Sequence, residues 1–133
     1  MEKIMTWLQT FPGWGGKVLR LDLLPEKPDS AGLYPKGMQV LECHEDLLGN
    51  MRCRYALRLE LLVSVCDGGS EWLWQLQQWV AQQSFLGLAP RLGDVERSES
   101  IRAEKACLKE RTAAGTAIYS VTLTAEFEKL FEQ

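Results

Sequence analysis

The sequence is poor in the residues and motifs from which common active sites are built. It contains one histidine, His44, among 133 residues, and its four cysteines form no C-x-x-C pair. Their spacings match no common zinc pattern, and Cys43 and His44 would converge poorly on a metal because neighbours on a strand point to opposite faces. Phosphate-binding glycine loops and the common nucleophile and zinc-protease motifs do not occur. We therefore expect no metal, no cofactor and no enzyme activity.

The chain also lacks the apolar runs that membranes and secretion require. Its most apolar stretch, residues 57–66, is interrupted by Arg58 and Glu60 and is far shorter than the roughly 20 residues of a spanning helix. The N-terminus has no apolar core or cleavage site of a secretory signal. The net charge of −3 gives no broad cationic field for nucleic acid or anionic lipid. These absences predict a protein made and kept in the cytoplasm, with no membrane partner and no sequence-specific nucleic-acid partner.

The cysteines themselves leave two interpretations open. In an intracellular chain long enough to build a core, free thiols are the default expectation. Spacing alone does not exclude a nucleophile built from Cys53 or Cys107 with His44, because such partners meet in space. Cys53, however, falls in phase with the buried face of a strand, where cysteine behaves as a small hydrophobic residue.

Length and composition are those of one ordinary globular domain. The chain is 46% hydrophobic and 25% charged, which is close to the globular average. Its length suffices for one core but is short for two. We therefore expect a single domain over residues 1–133.

Hydrophobic periodicity predicts a helix, three strands, a second helix and two more strands. The clearest element is the strand over residues 51–65, whose odd positions are apolar and whose even positions include Arg52, Arg54 and Arg58. Such a strand buries one face and exposes a charged one. The other predicted elements are helices over residues 1–11 and 71–84, strands over residues 18–24, 38–43 and 117–127, and a weakly patterned strand over residues 95–111.

Turn and cap residues complete the predicted fold. Residues 25–37 contain three prolines and two glycines and predict a long surface loop. The hydroxyl of Ser70 predicts the N-cap of the second helix, and residues 112–115 predict a hairpin turn. The whole pattern indicates an α+β fold, with a mixed, mostly antiparallel sheet of four to five strands and two helices packed on one face.

Two features of this layout are candidates for contact with another subunit. The face that carries Arg52, Arg54 and Arg58 is either a solvated sheet face, balanced by acids such as Glu60, or a surface that pairs with a neighbouring chain. Trp74 lies off the apolar stripe of the second helix and is either an aromatic packed under a loop or an interface anchor. We predict Arg52, Arg54, Arg58 and Trp74 as interface residues.

Seven short segments of the sequence resemble one known family. They are EWLW at 71–74, QWVAQQ at 78–83, PRLGD at 90–94, IRAE at 101–104, GTAIYSV at 115–121, MTWLQTFP at 5–12 and RYAL at 54–57. These segments are similar to small tail-completion proteins, the phage tail terminator or "minor capsid" proteins found in prophages of Gram-positive bacteria. The likeness extends over most of the chain, whereas residues 25–37 and the four cysteines are not matched to it.

The resemblance implies a non-enzymatic structural protein of a long-tailed phage or prophage. It implies a mixed sheet packed on helices and assembly into a ring, expected to be a hexamer, that caps the tail tube and supports head–tail joining. The implied partners are further copies of the chain, the tail-tube protein and head–tail connector proteins, with DNA passing through the ring. The implied location is the host bacterial cytoplasm during assembly and then the virion tail or neck.

Two alternatives stay open at this point. The first is another head–tail connector or a tail-tube-like subunit, which belongs to the same class of virion proteins. The second is a small cytoplasmic domain that binds a ligand or works as a thiol-dependent enzyme through Cys53 or Cys107 with His44.

Overall fold

A computed structural model describes residues 1–95 and 99–132. The elements follow in the order α1 (Glu2–Leu8), β1 (Val18–Leu21), β2 (Ser30–Glu45), β3 (Met51–Val65), α2 (Gly69–Phe85), β4 (Ser100–Arg111) and β5 (Ala117–Phe131). The strands lie side by side as β1-β2-β3-β5-β4 and are antiparallel except for the parallel β1–β2 pair. The predicted α+β class, the mixed, mostly antiparallel sheet and the order of the elements are confirmed.

Strand β3 is the centre of the sheet, and its bounds are those that the alternation predicts. It pairs with β2 on one side and, over its whole length, with β5 on the other. The odd residues Leu59, Leu61 and Val63 are almost completely buried. The helices cover this face, and the buried core there includes Ile4, Trp7 and Leu8 from α1 and Leu73, Leu76 and Val80 from α2. We call it the helix face and the opposite side the open face.

Aromatic rings join the two helices. Trp7 and Trp79 stack with their ring centroids 4.9 Å apart, and Trp7 Nε1 donates a hydrogen bond of 3.0 Å to Oε1 of Gln83. Phe11 packs between Trp72 and Trp79. The first helix ends at Leu8 rather than at residue 11, because the next residues form a tight turn that keeps Phe11 buried without continuing the helix.

The predicted loop over residues 25–37 is wrong from Ser30 onward. β2 begins there and runs for 16 residues to Glu45, so the short strand predicted over residues 38–43 is only its outer part. Pro35 is tolerated because it lies beyond the last residue pair with β1 and beside a bulge, where a missing N–H costs the ladder little.

The connection between β1 and β2 folds across the open face. Ser30 Oγ lies 3.0 and 2.6 Å from the carbonyl oxygens of Pro25 and Lys27. A Cβ on Gly32 would come within 2.6 Å of the carbonyl oxygen of Leu23, so only glycine permits this close approach. β1 therefore ends at Leu21 instead of residue 24, because Leu23 lies over Gly32 and leaves the ladder.

The boundaries of the later elements differ from the predictions by a few residues. α2 begins at Gly69, with Gly68 at the N-cap, so the prediction of Ser70 as the cap is wrong. Ser70 is the second residue of the helix, and its hydroxyl lies 3.5 Å from the hydroxyl of Tyr119. β4 begins at Ser100 and β5 continues to Phe131. Residues 96–98 of the predicted strand over 95–111 lie outside the described residues.

The expectation of four free thiols is also wrong. Cys43 and Cys53 are direct partners in the β2–β3 register, and they form a disulfide. Cys66 and Cys107 are free. The expectation relied on compartment and domain size, whereas the antiparallel register brings the two side chains together on adjacent strands.

Removing a central core side chain should destabilise the protein strongly. Leu61 is completely buried, so Leu61→Ala is expected to lower the free energy of unfolding by about 2–5 kcal/mol through lost burial and a residual cavity. Urea denaturation followed by circular dichroism measures the change. The matched control is Leu47→Ala at a fully exposed position, where a change within about 0.5 kcal/mol is expected; equal losses for both variants would contradict this account of the core.

The disulfide makes a separate prediction. Thiol titration of the oxidised, denatured protein should find only Cys66 and Cys107, and all four cysteines should react after reduction. Because the cross-link closes a loop with a sequence separation of 10, Cys43→Ser combined with Cys53→Ser should cost about 2–3 kcal/mol of stability. Cys66→Ser is the control, and four reactive thiols before reduction would show that the cross-link is absent.

Candidate functional site

The outer half of the β2–β3 hairpin, residues 36–56, carries several large apolar side chains that are exposed. Every side chain of β2 from residue 35 to residue 45 is exposed. On the helix face this part of β2 presents Met38 and Val40, which are 58% and 56% exposed. Contiguous exposed apolar surface of this kind marks interaction sites more often than isolated apolar residues do. We call residues 36–56 the outer hairpin.

Two leucines stand at the tip of the outer hairpin. Leu47 and Leu48 are almost fully exposed. The turn that carries them is held by Asp46, whose Oδ1 accepts hydrogen bonds from the backbone N–H groups of Leu48 and Asn50 at 2.8 and 2.9 Å. These bonds, led by the one from Asn50, lower the pKa of Asp46, so the carboxylate that orders the turn stays charged at neutral pH.

The outer edge of β2 carries unpaired backbone groups. β1 pairs only with residues 30–33 of β2, and among the described strands none lies along the outer edge of residues 34–45. Bulges interrupt the pairing with β3 between Pro35 and Gly37 and between Val40 and Glu42. An open edge of this length is a template for a strand from another chain, and bulges shorten the stretch that can pair regularly.

The open face carries a ladder of ion pairs between β3 and β5. Arg54 lies 3.3 Å from Glu126 and 3.6 Å from Glu128, and Arg52 lies 3.5 Å from Glu128. Both glutamates are largely buried beneath the longer arginine side chains, with less than a fifth of each carboxylate side chain exposed. The positive charges of Arg52 and Arg54 are therefore paired with carboxylates of the same chain.

Arg102 of β4 extends this ladder to the third strand. It forms a close ion pair with Glu126 and lies 3.4 Å from Glu104. The hydrogen bond from Arg102 is the main cause of a lowered pKa at Glu126, with Arg54 adding to it, and the same bond raises the pKa of Arg102. Glu126 is the anion that connects β3, β4 and β5 on this face.

A second cluster surrounds Glu60 nearer the other end of the open face. Partial burial acts to raise the pKa of Glu60, but the hydrogen bond from Ser120 and the charges of Lys109 and Lys36 outweigh it and lower the pKa. Ser120 Oγ donates to Glu60 at 2.9 Å, and each lysine lies 3.5 Å from the carboxylate. Both clusters are chemically suited to holding strands together.

The predicted interface residues fall into two separate places. Arg52, Arg54 and Arg58 share the open face of β3, where Arg52 and Arg58 are exposed and Arg54 is half-buried. Trp74 on α2 is 55% exposed and lies beside residues 106–108 of β4. The structure therefore brings the three arginines together and places Trp74 on the other side of the sheet.

Glu126 and Glu128, which pair with Arg52 and Arg54, are not among the predicted site residues. A usable signal was present, because an Arg-x-Arg pair on one strand matches a Glu-x-Glu pair on a strand that runs antiparallel to it. Met38, Val40 and the tip leucines are not predicted either, because the pattern of a short strand and a turn does not show which of its apolar residues are left exposed.

The cysteine and histidine candidates do not meet in the described residues. Cys53 is bonded to Cys43. His44 on β2 and Cys107 on β4 are three strand positions apart, which is about 14 Å across a sheet. His44 lies on the open face beside Glu42, at 3.4 Å. Within residues 1–95 and 99–132, no group of three potential metal ligands is assembled and no helix is long and apolar enough to cross a membrane.

The ion-pair ladder predicts a pH-dependent contribution to stability. Because its folded pKa is lowered, Glu126 adds stability above its unfolded pKa, and this is lost as the pH falls through the folded pKa. Glu126→Gln should cost about 1 kcal/mol at neutral pH, and the difference from wild type should stay constant down to about pH 5 and shrink as the pH falls further, below the ordinary pKa of a glutamate. Urea denaturation across that range measures it. Glu104→Gln, at the more exposed partner of Arg102, is the control; a pH-independent cost at Glu126 would contradict the ion-pair account.

Comparison with known proteins adds no family to this picture. No model of a known protein family matches the chain, and no curated protein matches it.

Proposed function

We propose that this protein is a structural subunit that works by self-association, and that it forms a ring of the tail-completion type in a long-tailed phage or prophage. The observation that carries the proposal is the outer hairpin, which combines an unpaired strand edge with exposed apolar side chains on the helix face and at the tip. The resemblance of the seven segments to tail terminators supplies the biological setting.

The lengths of the elements explain why the outer hairpin is left uncovered. β3 has 15 residues and α2 has 17, which correspond to about 50 Å of strand and about 26 Å of helix. α1 is shorter still. The helices cannot reach along the whole sheet, so a large part of the hairpin has to meet solvent or another molecule. A subunit that completes its burial on neighbouring copies satisfies this requirement.

A ring makes specific demands on such a subunit. Each copy must offer two different surfaces, because head-to-tail contacts close a ring whereas a single self-complementary surface gives a dimer. In this proposal the outer hairpin is one of the two surfaces. The ring would cap the tail tube, with the tail-tube protein and head–tail connector proteins as its other partners, in the host cytoplasm during assembly and then in the virion.

Sedimentation velocity of the full chain over a wide concentration range tests the proposal. We expect species heavier than the monomer, and negative-stain electron microscopy should show closed rings with a central opening. Tail tubes isolated from the parent phage or prophage should bind the protein at one end. A monomer at every concentration that also fails to bind tails would overturn the proposal, and binding along the tube or at the head side of the neck would favour the tail-tube-like or connector alternative.

A further inference from the structure

The second surface that a ring needs is present at the opposite edge of the sheet. β4 pairs only with β5, and α2 covers the first part of its outer edge. Ser84 Oγ hydrogen-bonds both the N–H and the carbonyl oxygen of Ile101, and Gln77 Nε2 donates to the carbonyl oxygen of Ala103 at 3.4 Å. Beyond that point, residues 105–111 have no described strand or cap along their outer edge.

A groove of mixed polar and apolar lining flanks this uncapped stretch on the helix side. It lies between α2 and β4, and its lining includes the apolar Trp74, Ala106 and Leu108 as well as the polar side chains of Ser70, Gln77 and Tyr119. Trp74 and Leu108 are 55% and 44% exposed. Leu108 pairs with Tyr119 in the register and so belongs to the helix face.

The outer edge of β2 is complementary to this stretch in three respects. Its apolar residues Met38 and Val40 also belong to the helix face, so in a continuous sheet they would lie on the same side as Trp74 and Leu108. Residues 36–45 carry a net charge of −1, and residues 105–111 carry a net charge of +2. β2 and β4 also run in opposite directions, so the two edges can pair antiparallel. The registers place Leu108 level with Ala31 of β2, so pairing with residues 36–45 shifts successive copies by about 30 Å along the strands. A ring closed in this way has its strands tilted against the ring axis, as in a β-barrel.

We propose that residues 105–111 of β4 in one copy pair with residues 36–45 of β2 in the next copy, and that Met38 and Val40 then cover Trp74 and Leu108. This inference rests on the proposed function and names its subunit contact. Contact between two β4 edges would bring Lys105 and Arg111 of one copy near the same two residues of the other, and contact between two β2 edges would bring Glu42 and Glu45 near their counterparts. Like charges therefore disfavour both symmetric pairings.

The bulges limit how far the two edges can pair. β2 is regular from Gly37 to Val40, and β4 has register shifts on both sides of Cys107 and Leu108, with Lys105 in a left-handed conformation. The backbone pairing is therefore short. The burial of apolar side chains must supply most of the affinity, which makes Met38, Val40 and Trp74 the sensitive positions.

Charged substitution on the β2 edge is the first test. Met38→Lys combined with Val40→Lys should raise the concentration for half-assembly, measured by sedimentation velocity, by about tenfold or more, because it removes apolar burial and places cations opposite a cationic edge. Circular dichroism and the urea midpoint should stay unchanged, since both positions are exposed. The matched control is Leu88→Lys, whose 60% exposure is similar and which lies beside α1. If the double variant forms rings at the same concentration as the wild type, the inference is overturned and the proposed function is not affected.

Cross-linking tests the identity of the two edges. In a Cys66→Ser background without reductant, Gln39→Cys on β2 and the native Cys107 on β4 are the available thiols. A short bismaleimide should join them between copies and give a series of covalent multimers, and Cys107→Ser should abolish the series. Covalent dimers that persist without Cys107 would show a symmetric β2 contact and overturn the inference. A wild-type protein that stays monomeric at every concentration would remove both this inference and the proposed ring.

Discussion

The structure depends on one constraint, the continuous pairing of β3 with a strand on each side. Because the register is set along both edges, the alternation of β3 is transmitted to β2 and β5, and each strand has an apolar side toward the helices and a polar side away from them. The same pairing sets the size of the sheet. Strands of 15 and 16 residues extend about 50 Å, whereas helices of 7 and 17 residues extend only about 10 and 26 Å. The exposed apolar surface therefore follows from the length of the central pairing rather than from a local irregularity.

Local patterns in the sequence are sufficient to locate an element where one hydrophobic period extends over its whole length. β3 and most of α2 could be located in this way, and with them the class of the fold. The inner half of β2 could not be located in this way, because Pro35, Gly32 and Gly37 normally indicate a loop. Pro35 and Gly37 are compatible with a strand because they flank a bulge beyond the pairing with β1, and Gly32 is required by the close approach of the Leu23 backbone. Those conditions are tertiary and leave no periodic signal in the sequence.

The candidate site was predictable in part for the same reason. Arg52, Arg54 and Arg58 could be placed on one face from alternation alone, and Trp74 could be recognised as lying off the helix stripe. What alternation does not supply is the neighbour of each strand. Glu126 and Glu128 balance Arg52 and Arg54 only because β5, which is distant in the sequence, lies beside β3. The ion pairs of Arg52 and Arg54 therefore join β3 to β5. The assignment of Arg52, Arg54, Arg58 and Trp74 to an interface stays a prediction.

The link between Cys43 and Cys53 has a mechanical consequence for the part of the molecule that reaches furthest from the core. Those two residues lie close to the tip of the outer hairpin, and a covalent bond there keeps the ends of β2 and β3 from separating one residue pair at a time. Amide protons between the cross-link and the core then exchange with solvent through larger openings than simple fraying provides. The outer hairpin with the cross-link intact therefore opens less readily from its tip than the reduced hairpin does.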